Sequence, residues 1–121
     1  MDLALESRER FLLATATGQI SFKEVLEGCK NMCDAAAERG FGKILFDGLA
    51  VEGELSVLER YEIGKTIAEY CRSRSMSPTV ALIGNPPAVT GFGAEVALNR
   101  GLLVVKFSER QVGMDSLNGF G

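Results

Sequence analysis

Histidine is missing altogether from the chain's 121 residues. With it go serine-histidine and cysteine-histidine nucleophile systems, histidine metal sites and the usual proton carrier near neutral pH. Long hydrophobic runs are missing too, since no stretch approaches the roughly 18 consecutive apolar residues of a membrane-spanning helix. Nor is there an excess of positive charge. Thirteen Lys and Arg against 16 Asp and Glu leave a net charge of −3 and a pI near 5.0, which argues against a general attraction to nucleic-acid phosphates or anionic lipid. Cysteine is scarce and odd in number: Cys29, Cys33 and Cys71 fit reduced thiols in a reducing compartment. The start, Met1-Asp2-Leu3-Ala4-Leu5-Glu6, lacks the basic segment and apolar stretch of an export signal. Both features point to a cytoplasmic chain.

What is present is the composition of a globular protein, 46% apolar and 24% charged. A chain of 121 residues has the size of one domain and can bury about two-thirds of its unfolded surface. Leu3 and Leu5 alternate with polar neighbours, residues 7–9 read as a turn, and 11–17 as a buried strand closed by Gly18. Ser21 and Glu24 then form a capping box, with Ile20 and Val25 as a hydrophobic staple. The helix that follows carries Phe22, Val25, Leu26, Cys29, Met32, Cys33 and Ala36 on one face and stops at Gly40. Residues 43–48 make an apolar strand ending in a turn, and 49–55 a loop with Glu52 and Glu54. A second capping box, Ser56 with Glu59, opens a helix to about Arg74. Pro78 marks a boundary before a strand over 79–84, and Pro86-Pro87 breaks the chain before a helix from about Gly91 to Arg100. A last strand over 102–107 leads to a short helix capped by Ser108 and then a Gly-rich tail. Strands alternating with helices through short loops predict a single α/β domain over 1–121, with a mixed, mostly parallel sheet in the order β-β-α-β-α-β-α-β-α.

This element order resembles the STAS domain, in particular the SpoIIAA-like group of small STAS/SEC14-type proteins. The likeness spans nearly the whole chain. It is carried by Gly18 and the Ser21-Phe22-Lys23-Glu24 helix start, by Ile44-Leu45-Phe46-Asp47, by Val80-Ala81-Leu82-Ile83-Gly84 and by Val105-Lys106-Phe107-Ser108. The resemblance implies a regulatory or binding module that engages protein partners and sometimes nucleotides, with lipid ligands among the SEC14-type relatives. It also implies a phosphorylated serine at the start of the helix after the Asp-ended strand, which places a candidate phospho-switch at Ser56. There the family's Asp-Ser-Ser-Gly reads Leu55-Ser56-Val57-Leu58.

Other residues carry weaker chemistry. Cys29 and Cys33 share one helix face, but a structural zinc site wants four ligands against three cysteines in all, and their spacing matches a buried stripe. Asp47, Glu52 and Glu54 follow a strand's C-terminal end, where a divalent ion or merely solvent would be met. The loop with Asn85, Thr90, Gly91 and Gly93 leads from strand to helix; it could cradle an anion on free amides or be a Pro-broken loop capped by Thr90. Arg72 and Arg100 read as solvated residues near helix ends. On the second helix, Val57, Tyr61, Gly64, Ala68 and Cys71 make one stripe, with Leu58, Ile63, Ile67 and Tyr70 outside it or at its edge. That excess of apolar surface predicts a homodimer through Ile63, Ile67 and Tyr70. The expectation is therefore a non-catalytic interaction module with no metal, cofactor, nucleic acid or membrane span. The alternative is a carrier or sensor for a small apolar or anionic ligand.

Overall fold

The computed structural model describes residues 1–119. Its elements are β1 (Asp2–Ser7), β2 (Leu12–Gln19), α1 (Phe22–Glu38), β3 (Lys43–Glu52), α2 (Val57–Ser73), β4 (Thr79–Ile83), α3 (Phe92–Asn99), β5 (Val104–Phe107) and α4 (Arg110–Gly119). The five strands lie side by side in chain order. β1 runs antiparallel to β2, and every later pairing is parallel, as the sequence pattern predicts.

Alternation along the strands separates two cores. Leu12, Ala14, Ile44, Phe46 and Val80 point toward α1, α2 and α3, meeting Met32, Cys33, Ile67, Cys71 and Ala97. Leu13, Leu45, Ala81 and Ile83 point the other way, toward Leu117 of α4. Central strands buried on both faces read as unbroken apolar runs, which is why β3 and β4 stand out in the sequence.

β3 is longer than its sequence suggests. Gly48 looks like a turn, yet the strand continues to Glu52 beside Thr17–Gln19 after a register shift in which Thr15 faces Asp47 and Thr17 faces Ala50. A glycine inside a strand pattern is the mark of such a bulge. β4 stops at Ile83, opposite Asp47, so β2 and β3 project beyond it as a two-stranded arm.

α2 sits between α1 and α3, which corrects the expected contact surface. Ile67 is a core residue with 6% exposure. The Tyr70 hydroxyl donates to both oxygens of Asp34 on α1, at 2.8 and 2.7 Å, while the Arg74 guanidinium stacks 3.8 Å from the ring centroid. Ile63 is half-buried against the same core. A helix flanked on both sides needs apolar residues over more of its circumference than one covering a sheet alone. The stripe is wide because α2 is central; Ile67 is buried and offers no face to a second chain, while Ile63 and Tyr70 are half-buried among α2's neighbours.

Candidate functional site

Two features lie at the C-terminal end of the parallel strands: the start of α2 and a cavity beneath it. At the first, Ser56 completes its capping box. Its hydroxyl accepts from the Glu59 N–H at 3.1 Å, and its own N–H donates to Glu59 Oε1 at 2.9 Å. The corresponding box at α1 is half-formed. Ser21 Oγ accepts from the Glu24 N–H at 3.3 Å, but its hydroxyl rather than its backbone N–H meets the Glu24 carboxylate. Ser56 is exposed, and immediately after it Val57 and Leu58 are 66% and 69% exposed. Both lie on the first turn of α2, and the stripe reading wrongly placed Val57 inward. The helix's buried residues begin only at Gly64, with Ile67, Ala68 and Cys71 after it.

The cavity has a volume of about 160 Å³ and lies between the sheet and α1, α2 and α3. Phe46, Val80 and Leu82 form its floor, Ile63 and Ile67 its roof, and Val51 of the two-stranded arm with Ile20 just past the end of β2 one wall. Ile20 and Val25, the expected staple pair, both line it. Arg60 is the single charged side chain among the residues that line it, and its guanidinium donates to the Pro87 carbonyl at 2.6 Å. Nothing local in the sequence marks Arg60, because the residues around it come from distant segments.

The loop before α3 is divided by this geometry. Thr90, Gly91 and Gly93 line the cavity, whereas Asn85 borders a separate outer depression beside Leu49 and Gly53, and its carbonyl accepts from the Val89 N–H at 3.0 Å. Thr90 does not cap α3, correcting that expectation. Gly91 does so in a left-handed conformation at φ 86°, with no side-chain bond to the helix; a threonine would be strained there. α3 lies close against α2 because Gly64 carries no side chain, and a Cβ there would strike the Gly93 carbonyl.

The remaining candidates are accounted for by structure. Asp47 is 7% exposed and faces α4, accepting from the Leu49 N–H at 3.0 Å and pairing with Arg110 at 3.4 Å. Glu52 ends β3 and Glu54 lies in the following loop, both exposed. Among the described residues, no three Cys, Asp or Glu side chains are grouped to hold a metal ion. Cys33 and Cys71 are buried at the α1–α2 contact and Cys29 is half-buried. Burial pushes the Cys29 thiol up to about 12. The hydrogen bond between Cys33 and Cys71 raises the first thiol and lowers the second. Arg72 donates to the Arg100 carbonyl at 2.6 Å and Arg100 to the Tyr61 hydroxyl at 2.8 Å, so both arginines secure helix ends. No helix among the described residues is long and apolar enough to cross a membrane.

No protein-family model and no curated protein matches the chain. A solved structure does. The structure of the anti-sigma factor antagonist SpoIIAA in its unphosphorylated form is similar over 98% of this chain and 97% of that one, with a TM-score of 0.56 and 12% identity. This chain has the SpoIIAA fold. The five-stranded mixed sheet and its four helices are thus the SpoIIAA-like α/β arrangement that the element order implied. At 12% identity, SpoIIAA informs the architecture, and the site has to be read from this chain's own residues.

Proposed function

We propose that this chain is a non-catalytic regulatory module that binds a protein partner, or a second copy of itself, through the first turn of α2. The reading rests on Val57 and Leu58, the most exposed of the large apolar residues described, set directly after Ser56. Two consecutive apolar residues left in water at a helix start cost solubility and contribute nothing to the core. On a contact surface they supply burial of roughly 1.5–3 kcal/mol each. The SpoIIAA fold supports this reading, since the similar structure is that of an anti-sigma factor antagonist.

That structure is described as unphosphorylated, and Ser56 is the residue of this chain on which such a modification would act. A phosphate would bring about −1.5 to −2 charges next to the Glu59 carboxylate that now receives the Ser56 N–H. The helix dipole would welcome it while Glu59 would be repelled. The capping box would open, and the apolar pair would acquire a strongly charged neighbour. Ser56 is the switch in this reading and Val57-Leu58 the surface that it controls.

The test compares the wild-type chain with Val57→Asp/Leu58→Asp and with a chain carrying phosphoserine at 56. We expect all three to keep the same circular dichroism spectrum. The double variant should match the wild type's stability within about 1 kcal/mol because Val57 and Leu58 are solvated, and the phosphoserine chain should differ by no more than the roughly 0.5–2 kcal/mol of a lost cap. Specific proteins retained from cell extract by the wild type, or its own dimer in sedimentation, should be lost in the double variant and altered by phosphoserine. Identical retention and identical mass for all three chains would refute the proposal.

A further inference from the structure

Beyond a protein contact, we infer that the cavity under α2 binds a small carboxylate with an apolar tail of about six carbons, the tail between sheet and helices and the carboxylate on Arg60. Volume sets the tail. About 160 Å³ is close to the roughly 150 Å³ of an apolar cavity that stays dry and takes up benzene. A six-carbon chain is of that order, whereas a long acyl chain would have to leave the cavity again.

The lining sets the class. Leu82 stands on a central strand, yet it is only partly buried, as are Ile63, Val51 and Val89. Positions on the inner face of a covered sheet are ordinarily buried, so the cavity is open on this side and its apolar walls are accessible from solvent. Water inside would find few polar partners there, whereas an apolar group would gain the burial that these side chains lack. Two lining residues carry charge. The Met1 ammonium is already paired with Glu24 at 2.9 Å, whereas Arg60, one turn beyond the start of α2, has one guanidinium nitrogen on the neutral Pro87 carbonyl at 2.6 Å and forms no ion pair among the described residues. That bond ties the guanidinium to the loop bordering the cavity, and its other N–H groups match the planar fork of a carboxylate. A neutral apolar ligand would make no use of the Arg60 charge; a simple anion would leave the cavity empty.

The experiment is a titration of the folded, methyl-labelled chain with hexanoate, hexan-1-ol and acetate, followed by NMR and thermal melting. Hexanoate should shift the methyl signals of Ile63, Leu82 and Val89 saturably below about 10 mM, the affinity range open to so small a ligand, and should raise the melting temperature. Hexan-1-ol should shift the same methyls with about tenfold weaker affinity, the loss expected with one charge-assisted contact, and acetate should shift none of them. Arg60→Gln should bring hexanoate down to the level of hexan-1-ol and leave the alcohol unchanged. Cys29→Leu and Val104→Phe each fill the cavity from a different element, so every such variant that folds should lose both ligands. Absence of a saturable shift with hexanoate, equal binding of hexanoate and hexan-1-ol, binding of acetate as strong as hexanoate, or retention of hexanoate in a folded filled variant would each overturn the inference. None of these readouts involves Val57 or Leu58, so the cavity can fail while the protein contact stands, and the reverse.

Discussion

On one face of the sheet a single helix, α4, settles onto Ile83 and Leu45 because position 113 is glycine, and a Cβ there would collide with the Ile83 side chain. On the other face three helices cover the same strands and still leave about 160 Å³ open. The difference lies in what sets each helix's height. α4 is positioned by the sheet. α2 is positioned by its neighbours, through Tyr70 on Asp34 and the Cys33–Cys71 contact on the α1 side and through Gly64 against Gly93 on the α3 side. Helices held to one another span the sheet as a unit, and the space under the middle of that unit is the cavity. Close packing on one face and an open site on the other follow from where small residues were spent.

The sharpest test of this division is Ile67→Glu. If the α2 face is core, the charge has no hydrated alternative, and the chain should lose more than about 4 kcal/mol and unfold, as seen by circular dichroism in urea. A folded, unchanged chain would return Ile67 to the surface.

Next comes a pair across the sheet. Leu117→Ala on the closed face should cost about 2–5 kcal/mol. Leu82→Ala, beside space that is already open, should cost about 1–2 kcal/mol. Equal losses in chemical denaturation would erase the contrast between the faces.

Gly113→Ala tests the closed face alone. Helix propensity by itself would stabilise it by roughly 0.5–1 kcal/mol, but the contact with Ile83 should turn this into a loss of about 1–3 kcal/mol. A raised melting temperature would show that α4 can lift away freely.

At the rim of the open face, Ser56→Ala should lower stability by about 0.5–2 kcal/mol and Ser56→Asp should be tolerated, both read from urea midpoints. A neutral Ser56→Ala would mean that the capping box contributes nothing.

The smallest effect concerns how α1 and α2 are joined. The bond from the Tyr70 hydroxyl to the Asp34 carboxylate raises the phenol above its ordinary value of 10.0. A raised folded-state value contributes stability that is complete below about pH 10 and disappears as pH climbs through the folded value. Tyr70→Phe should lose stability at neutral pH and show a flatter decline in that alkaline window. Parallel curves for the two chains would remove the bond from the account.

The sequence was most legible where structure is local. The Ser56–Glu59 box, the strand alternation and the order of elements depend on residues a few positions apart, and the chain follows them. The end of β3 was missed because Gly48 serves equally well in a turn and in a bulge, and only pairing with β2 decides between them. Thr90 reads as the cap because side-chain chemistry is visible in a sequence, whereas the positive φ that makes Gly91 the cap is not. The width of the α2 stripe is legible but its neighbour is not: Ile67 is buried in this chain's own core, because one helix's periodicity cannot tell a second chain from α1 and α3. Val57 and Leu58 carried a usable signal: two adjacent apolar residues just after a cap cannot both turn inward. Arg60 carried none, because its place at the cavity depends on the loop that holds Pro87.

The strands are also neighbours in the order in which they are made. Every new strand after β1 docks on the edge left by the one before, so no strand has to be inserted between two that are already in place. Contacts that are near in sequence form early and at little entropic cost, which favours rapid acquisition of structure. On a ribosome the sheet could grow from β1 outward, with α1 and α2 laid over it as they emerge and α4 closing the opposite side last. The face that keeps its opening would then also be the first to be roofed.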